Sequence, residues 1–383
     1  LAQGGRAGVS PVSGISVRQA MGESLAWRIK VYLQWTGWLQ YVPNMVFLLL
    51  VGLLIYLFKC LDFSIVAVLL DILFVVGLFT LSFDLITVKF NFRPEEAIPP
   101  RRDHLDAFDL MLSRRSCRSF QWRDLTQEHR SEILDAVKAW THPGKLLGTK
   151  AVRFEYIREP LRVWPVVGCH EFLVAIAPKD YDRVAILDVG RSLQKVVLHA
   201  TRMGVATCWI GPGADHKSVV AKMGNRFDEA KDHIICVCAI GYPSWYIPTT
   251  IALVVQRIQR WRYPVQSLFY ADAKFKNPLP VEEAPFCRFG RSYEACRWSP
   301  SSFNAQPVRC VGEAKGQRFD FYGANQSRYY TPVAVGIWLA NWETGCEALQ
   351  IKGRFKHLQL EEIDVKALQS DGPVYDMSWI CDV

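Results

Sequence analysis

Trp298-Ser299-Pro300-Ser301-Ser302-Phe303-Asn304-Ala305-Gln306-Pro307-Val308-Arg309 is the stretch on which the reading of this chain turns. It leaves a short helical run (Tyr293, Ala295, Cys296, Trp298) and enters an extended one. Between them stand two hydroxyls, Ser301 and Ser302, and two amides, Asn304 and Gln306, bracketed by Pro300 and Pro307. Proline fixes the local backbone and removes a donor, so the segment is expected to hold its polar groups outward instead of folding them into a helix or a ladder. Uncharged donors and acceptors presented in this way suit a flat, heteroatom-rich ligand, and they also suit a plain solvated turn.

Three further segments carry related chemistry. Ser113-Arg114-Arg115-Ser116-Cys117-Arg118-Ser119-Phe120 follows a helical pattern at Leu105, Phe108, Met111 and Leu112. A clustered Arg/Ser turn offers bidentate and backbone contacts to a phosphate, and it reads equally as a solvated or membrane-facing patch. Gly204-Val205-Ala206-Thr207-Cys208-Trp209-Ile210-Gly211-Pro212-Gly213 closes a long helix expected from about Ala185 to Met203. Its glycines permit close approach of a flat ring, or simply turn a strand into a loop. Arg260-Trp261-Arg262-Tyr263-Pro264 adds more cations. The run Gly144 to Lys150 lacks the spacing of a phosphate loop.

Together these segments resemble the FMN-dependent nitroreductase family. Pro300 to Pro307 is similar to its Pro-Ser-Ser-x-Asn-x-Gln-Pro-Trp signature, with Val308 where the family has Trp. Arg114 to Phe120 is similar to its opening Arg-Arg-Ser-x-Arg-x-Phe, Gly204 to Gly211 to its Gly-Thr-x-Trp-Ile-Gly segment, and Arg260 to Pro264 to its basic-x-Arg-x-Pro element. The resemblance covers about residues 103 to 355 and implies a nitroreductase-like α+β sandwich that binds FMN. It also implies that Arg114, Arg115, Ser116 and Arg118, helped by Arg260 and Arg262, hold phosphate and ribityl. Gly211 then passes the ring, and Ser301, Ser302, Asn304 and Gln306 contact ring or ribityl. NAD(P)H is the implied reductant, and the implied acceptor is an electrophilic quinone, nitroaromatic or halogenated aromatic. Pro332 stands where the tandem branch of the family carries an Asp-x-Gly, and proline is comfortable at a helix start.

A weak repeat supports that tandem branch. Ala139-Trp140 leads through Pro143 into Val152-Arg153, as Arg297-Trp298 leads through Pro300 into Val308-Arg309. Leu198 to Gly204 can be laid on Leu339 to Gly345, each expected to be a helix end stopped by glycine. The first copy keeps the Arg/Ser motif and the second keeps the Ser-Ser-x-Asn loop, so one composite site per chain is expected, in a monomer that mimics a dimer.

The 383 residues are 50% hydrophobic with a mean hydropathy of +0.06, high for a wholly soluble chain. Tyr41 to Phe58 carries no charge, and Phe63 to Phe83 is broken only by Asp71, with Lys59-Cys60-Leu61-Asp62 between them. A buried aspartate costs about 2.5 to 3.5 kcal/mol on insertion scales, which the surrounding apolar residues offset. A transmembrane α-hairpin is expected, Asp71 making an intramembrane polar contact, or else a second segment lying in the interface. Arg28, Lys30, Lys89, Arg93, Arg101 and Arg102 flank its outer ends, which places the soluble part on the cytoplasmic, matrix or stromal side. These charges account for part of the net +8 without nucleic acid, of which no motif is present.

The expected organisation is a flexible extension or targeting remnant at 1–26, membrane-anchoring helices at 27–92, a first half at 93–250 and a second at 251–383. Eleven cysteines without a Cys-x-x-Cys pair read as reduced, mostly buried thiols, with no metal set. His170, His199 and His233 are scattered, and no hydrolytic triad competes with flavin chemistry. Partners are then a small electron acceptor and membrane lipid. The alternative is a non-catalytic module of the same fold serving as a structural subunit at a membrane.

Overall fold

A computed structural model describes residues 25–255, 257, 260–359 and 372–382. Most of the expected 1–26 extension lies outside the described residues. Helix α1 (Leu25–Trp35), which the sequence pattern had not marked, precedes a hairpin of α2 (Val42–Cys60) and α3 (Ser64–Asp84). α2 has 19 residues, about the thickness of a bilayer's hydrocarbon at 1.5 Å per residue, and α3 continues through one π-helical turn to Lys89. Both helices are long and apolar enough to cross a membrane, and both leave Leu49, Leu53, Ile65, Leu69 and Val75 facing outward. Asp71 meets Lys59 of the preceding helix at 3.0 Å, so the polar contact expected of it is made within the hairpin.

The remainder folds as two sheets around two central helices. In the first sheet, β1 (Arg153–Ile157), β2 (Glu171–Pro178), β3 (Ala206–Ile210) and β4 (Asp232–Gly241) lie in the antiparallel order β1-β2-β4-β3. The second runs β5-β6-β7-β9-β8, from β5 (Phe269–Tyr270), β6 (Val308–Gly312), β7 (Arg318–Gly323), β8 (Gly353–Lys356) and β9 (Val374–Cys381). α6 (Arg183–Arg202) links β2 to β3, and α9 (Tyr330–Ala348) links β7 to β8, so the two sheets share one strand order and one helix position. β5 is the addition: it precedes the shared elements of the second half and pairs with β6 in parallel. The fold is thus α+β, as the sequence implies.

Local signals explain the elements. Thr126 Oγ1 accepts from His129 N–H at the start of α5 (Gln127–Trp140), and Asp182 accepts from Ala185 N–H at the start of α6. Gly204, at φ +78°, ends the turn after α6. Gly345 does not do the same for α9: it lies inside that helix, where a Cβ would stand 2.4 Å from Ser292 Oγ. Close packing, not chain reversal, requires glycine there.

α6 and α9 are buried along most of their length and cross in backbone contact. A Cβ on Gly190 would lie 2.2 Å from the Val333 carbonyl oxygen, and one on Gly336 2.1 Å from that of Leu187. Charged and polar pairs tie the same crossing. Arg191 and Lys195 reach Glu343 at 2.6 and 3.0 Å, and the buried amides of Gln194 and Asn341 bond at 3.1 Å. Apolar cores flank the crossing, one between α5, α6 and the first sheet, the other between α9 and the second.

Candidate functional site

Helix α4 (Ala107–Ser113) ends where the Arg/Ser motif begins. Residues 116–120 then run extended between β3 and the turn at 167: Cys117 N–H donates to Thr207 O (2.9 Å), Val167 N–H to Arg118 O (2.9 Å) and Phe120 N–H to Val167 O (3.0 Å). This pairing fixes Arg114, Arg115, Ser116 and Arg118 along one wall of a cleft of about 260 Å³. Gly204 to Thr207 and Pro243, Ser244 and Ile247 complete the lining, the first through the Ser116–Thr207 pairing and the second through the Phe120–Pro243 pairing. Arg102, Arg114, Arg115 and Arg118 line it, and no carboxylate does among the described residues.

Several polar atoms inside are buried and unanswered. Arg114 is only 6% exposed, yet its Nη1 has no hydrogen-bond partner; neither does Nε of the buried Arg118, nor Oγ1 of Thr207. Burial lowers the Arg114 guanidinium to about 10, and repulsion from Arg115 and Arg262 adds to it. Burial likewise lowers Arg262 to about 10, with Arg115 and Arg297 repelling it, and Arg115 is lowered by burial and by Arg260. Cations packed this closely in a low-dielectric wall gain from an anion, which the buried donors are placed to bind.

The second half reaches this cluster through Trp298, the first residue of the loop quoted above. Its indole lies between Arg115 and Arg262, each 5.1 Å from the ring centroid, and donates to Glu294 Oε1 at 2.6 Å. Arg262 Nη1 donates to Asn304 Oδ1 at 2.6 Å. Two motifs about 180 residues apart in the chain therefore meet at one place.

The loop itself departs from expectation. Asn304 Nδ2 donates to the Trp261 carbonyl (2.8 Å), Gln306 Oε1 accepts from Tyr263 N–H (2.9 Å), and Ser301 Oγ accepts from Gln306 N–H (2.9 Å). Gln306 is buried. These groups turn inward to hold the Arg260–Pro264 segment instead of standing outward, because that segment brings unpaired backbone groups that the amides satisfy. Ser302 opens a single 3₁₀ turn, and Phe303, Asn304 and Gln306 all take positive φ (51°, 56° and 48°). Three non-glycine residues in left-handed conformation within four positions store strain, a recurrent property of ligand-binding loops.

Two expected residues sit at the periphery. Gly211 follows β3, and a Cβ there would meet the Tyr330 ring at 2.8 Å, so its open side faces α9, and it does not line the cleft. Arg260 is exposed and acts on Arg115 by charge alone. Conversely, Arg102, Thr207 and Ser244 line the cleft without having been singled out. Thr207 lies inside the Gly204–Gly211 segment, which was the available signal; Arg102 had been counted only as a flanking charge.

The eleven cysteines are unpaired thiols, nine of them at least partly buried. Among the described residues no group of His, Cys, Asp or Glu is arranged to hold a metal ion.

Comparison with known proteins places these observations. A family model described as "Putative TM nitroreductase" matches residues 106–344. Among solved structures, a nitroreductase from Thermotoga maritima shares 17% identity over 75% of this chain and 99% of its own, with a TM-score of 0.45. A nitroreductase with bound FMN from Bacteroides fragilis shares 16% over 37% of this chain and 89% of its own (TM-score 0.30). One with bound FMN from Desulfitobacterium hafniense shares 17% over 38% and 93% (TM-score 0.30). No curated protein matches.

Proposed function

The chain belongs to the nitroreductase family just described, and from that premise we propose that it is a membrane-anchored oxidoreductase that binds FMN in the Arg114–Arg118 cleft. The observation that carries this reading is that Arg115, beside the unanswered buried donors Arg114 Nη1 and Arg118 Nε, packs on Trp298 of the second half, whose ring also carries Arg262, itself bonded to Asn304. Arg114, Arg115, Arg118 and Arg262 would hold the phosphate, with Ser116 and Thr207 offering hydroxyls along the ribityl chain. Ser301, Ser302, Asn304 and Gln306 would present the second half to the cofactor, the latter two by fixing the Arg260–Pro264 segment.

FMN, once bound, supplies reversible two-electron transfer between NAD(P)H and an electrophilic quinone, nitroaromatic or halogenated aromatic. The protein supplies charge, orientation and access. One chain would provide both sides of the site that two subunits otherwise provide, since its halves share a strand order and a helix crossing. The hairpin would anchor the enzyme, with the soluble part on the cytoplasmic, matrix or stromal side, in line with the basic flanks.

A second reading, a non-catalytic structural module, is favoured by the inward turn of Asn304 and Gln306, which leaves those amides fewer free bonds. The full chain purified in detergent with added FMN separates the two. Anaerobic NAD(P)H is expected to bleach a bound flavin band and a quinone to restore it; no flavin uptake would remove the enzymatic reading.

A further inference from the structure

The wall of the flavin cleft has a second side. Pro243, Ser244 and Ile247 line the cleft, while Trp245, Tyr246, Ile247 and Thr249 line a separate cavity of about 300 Å³ against the last turns of α3. Phe79, Thr80, Phe83 and Asp84 complete it. Ile247 belongs to both, so a single strand of chain partitions the two spaces.

This contact is built, not incidental. Asp84 accepts from the Thr249 N–H at 2.7 Å, and Asn44 of α2 accepts from the Thr250 hydroxyl at 3.3 Å. The Phe83 and Tyr246 rings stand 6.1 Å apart. Below α3, the buried Arg93 donates to the Ser244 hydroxyl (2.6 Å) and the Phe120 carbonyl (3.0 Å), with its guanidinium 4.9 Å from the Tyr246 ring centroid. Hairpin and cleft wall are therefore joined by hydrogen bonds at Thr249, Thr250 and Ser244.

The lining holds four aromatic rings, Phe79, Phe83, Trp245 and Tyr246, with the Asp84 carboxylate and the side chains of Thr80 and Thr249. Its mouth is flanked by Trp245 and Phe79, which are 88% and 69% exposed. Such rings belong at the level where hydrocarbon gives way to headgroups. Resting on the flavin reading above, we propose that this cavity binds a lipid-soluble aromatic of the acceptor class, such as a tailed quinone, taken laterally from the bilayer. Its ring lies among Phe79, Phe83, Trp245 and Tyr246, its tail stays in lipid along α3, and Thr80 and Asp84 face its polar substituents. An acidic water-soluble substrate meets the Asp84 carboxylate and the hydrocarbon mouth, and is excluded.

The test uses the full chain in phosphatidylcholine nanodiscs and a benzoquinone carrying a ten-carbon tail and a photoreactive azide. Labelled peptides are read by mass spectrometry, with and without FMN. Label is expected on 79–84 and 245–249, reduced about tenfold or more by Thr80→Trp, which fills the cavity, while FMN affinity is unchanged. Phe79→Ala, on an exposed face and so tolerated by the fold, is expected to weaken labelling severalfold. Label elsewhere, or label indifferent to both variants, overturns the proposal. The flavin reading fails separately: labelling then persists without any FMN uptake, whereas failure of this inference leaves flavin turnover with ferricyanide intact and the cavity unlabelled.

Discussion

Replacing Arg114 by methionine separates a binding arginine from a structural one. The side chain is 6% exposed, lacks a partner at Nη1, and is repelled by Arg115 and Arg262. Its fall from the ordinary arginine value to about 10 corresponds to roughly 3 kcal/mol of cost for keeping the charge in its buried setting. A base with a depressed folded value destabilises wherever it is charged, so this cost is complete at neutral pH and shrinks only as pH rises through about 10. Arg114→Met keeps the length and removes the charge. The FMN-free protein is therefore expected to gain on the order of 1 to 3 kcal/mol. FMN binding is expected to lose one charge-assisted contact, about 1.5 to 3 kcal/mol, or roughly 10- to 150-fold in Kd. Thermal melts with and without FMN, together with an FMN titration, read both quantities, at pH 6 and again at pH 8 with the same result. The opposite signs are the signature. A variant that melts lower without FMN and binds it as tightly as before would show that the guanidinium supports the fold and that the phosphate site lies elsewhere.

Other consequences follow from particular contacts. Gly336→Ala places a Cβ 2.1 Å from the Leu187 carbonyl oxygen and must push α6 and α9 apart; a loss of about 1 to 3 kcal/mol is expected in denaturant melts, and an unchanged midpoint would contradict the close crossing. Glu343 is raised by burial, but Lys195 and Arg191 outweigh this and hold it below the ordinary carboxylate range. The stability it contributes is thus present above its unfolded value and lost as pH falls through the lower folded one. Glu343→Gln is expected to cost about 3 to 5 kcal/mol at neutral pH, by leaving the buried Arg191 without its carboxylate and Lys195 with only the longer contact to Glu347, and to flatten the acid limb of the stability curve; a limb unchanged from the wild type would refute the assignment. Cys60 and Cys287 are the two exposed thiols of the eleven. In sealed vesicles an impermeant maleimide should label them from opposite sides, and labelling of both from one side would mean that the hairpin does not cross.

The features legible in the sequence were those with a local cause. The apolar runs at 41–58 and 63–83 became α2 and α3, and the helix expected at Ala185 to Met203 runs from Arg183 to Arg202. The Arg114–Arg118 turn meets Trp298 through Arg115, and the loop at Ser301 to Gln306 joins the same neighbourhood through the Arg262–Asn304 bond, as the halves pack through α6 and α9. What escaped depends on distant neighbours. Gly204 to Gly213 reads as a strand turning into a loop, but only pairing with β4 fixes Ala206–Ile210 as the strand, and β5 is two residues whose strand partner is β6. Nothing local in Asn304 or Gln306 announces that their amides turn back onto residues 261–263. Gly345 looked like a helix stop because its reason, the Ser292 hydroxyl, is contributed from 53 residues earlier in the chain. The cavity between 79–84 and 245–249 joins segments some 165 residues apart, beyond any periodic pattern.

The central claim is one composite flavin site per chain, and the most direct measurement is the stoichiometry of FMN on the purified full-length protein, by absorbance titration against peptide concentration. One FMN per chain, lost together with Trp298→Ala in the second half and Arg118→Ala in the first, is the expected result. Two FMN per chain, or none taken up at any concentration, would contradict it.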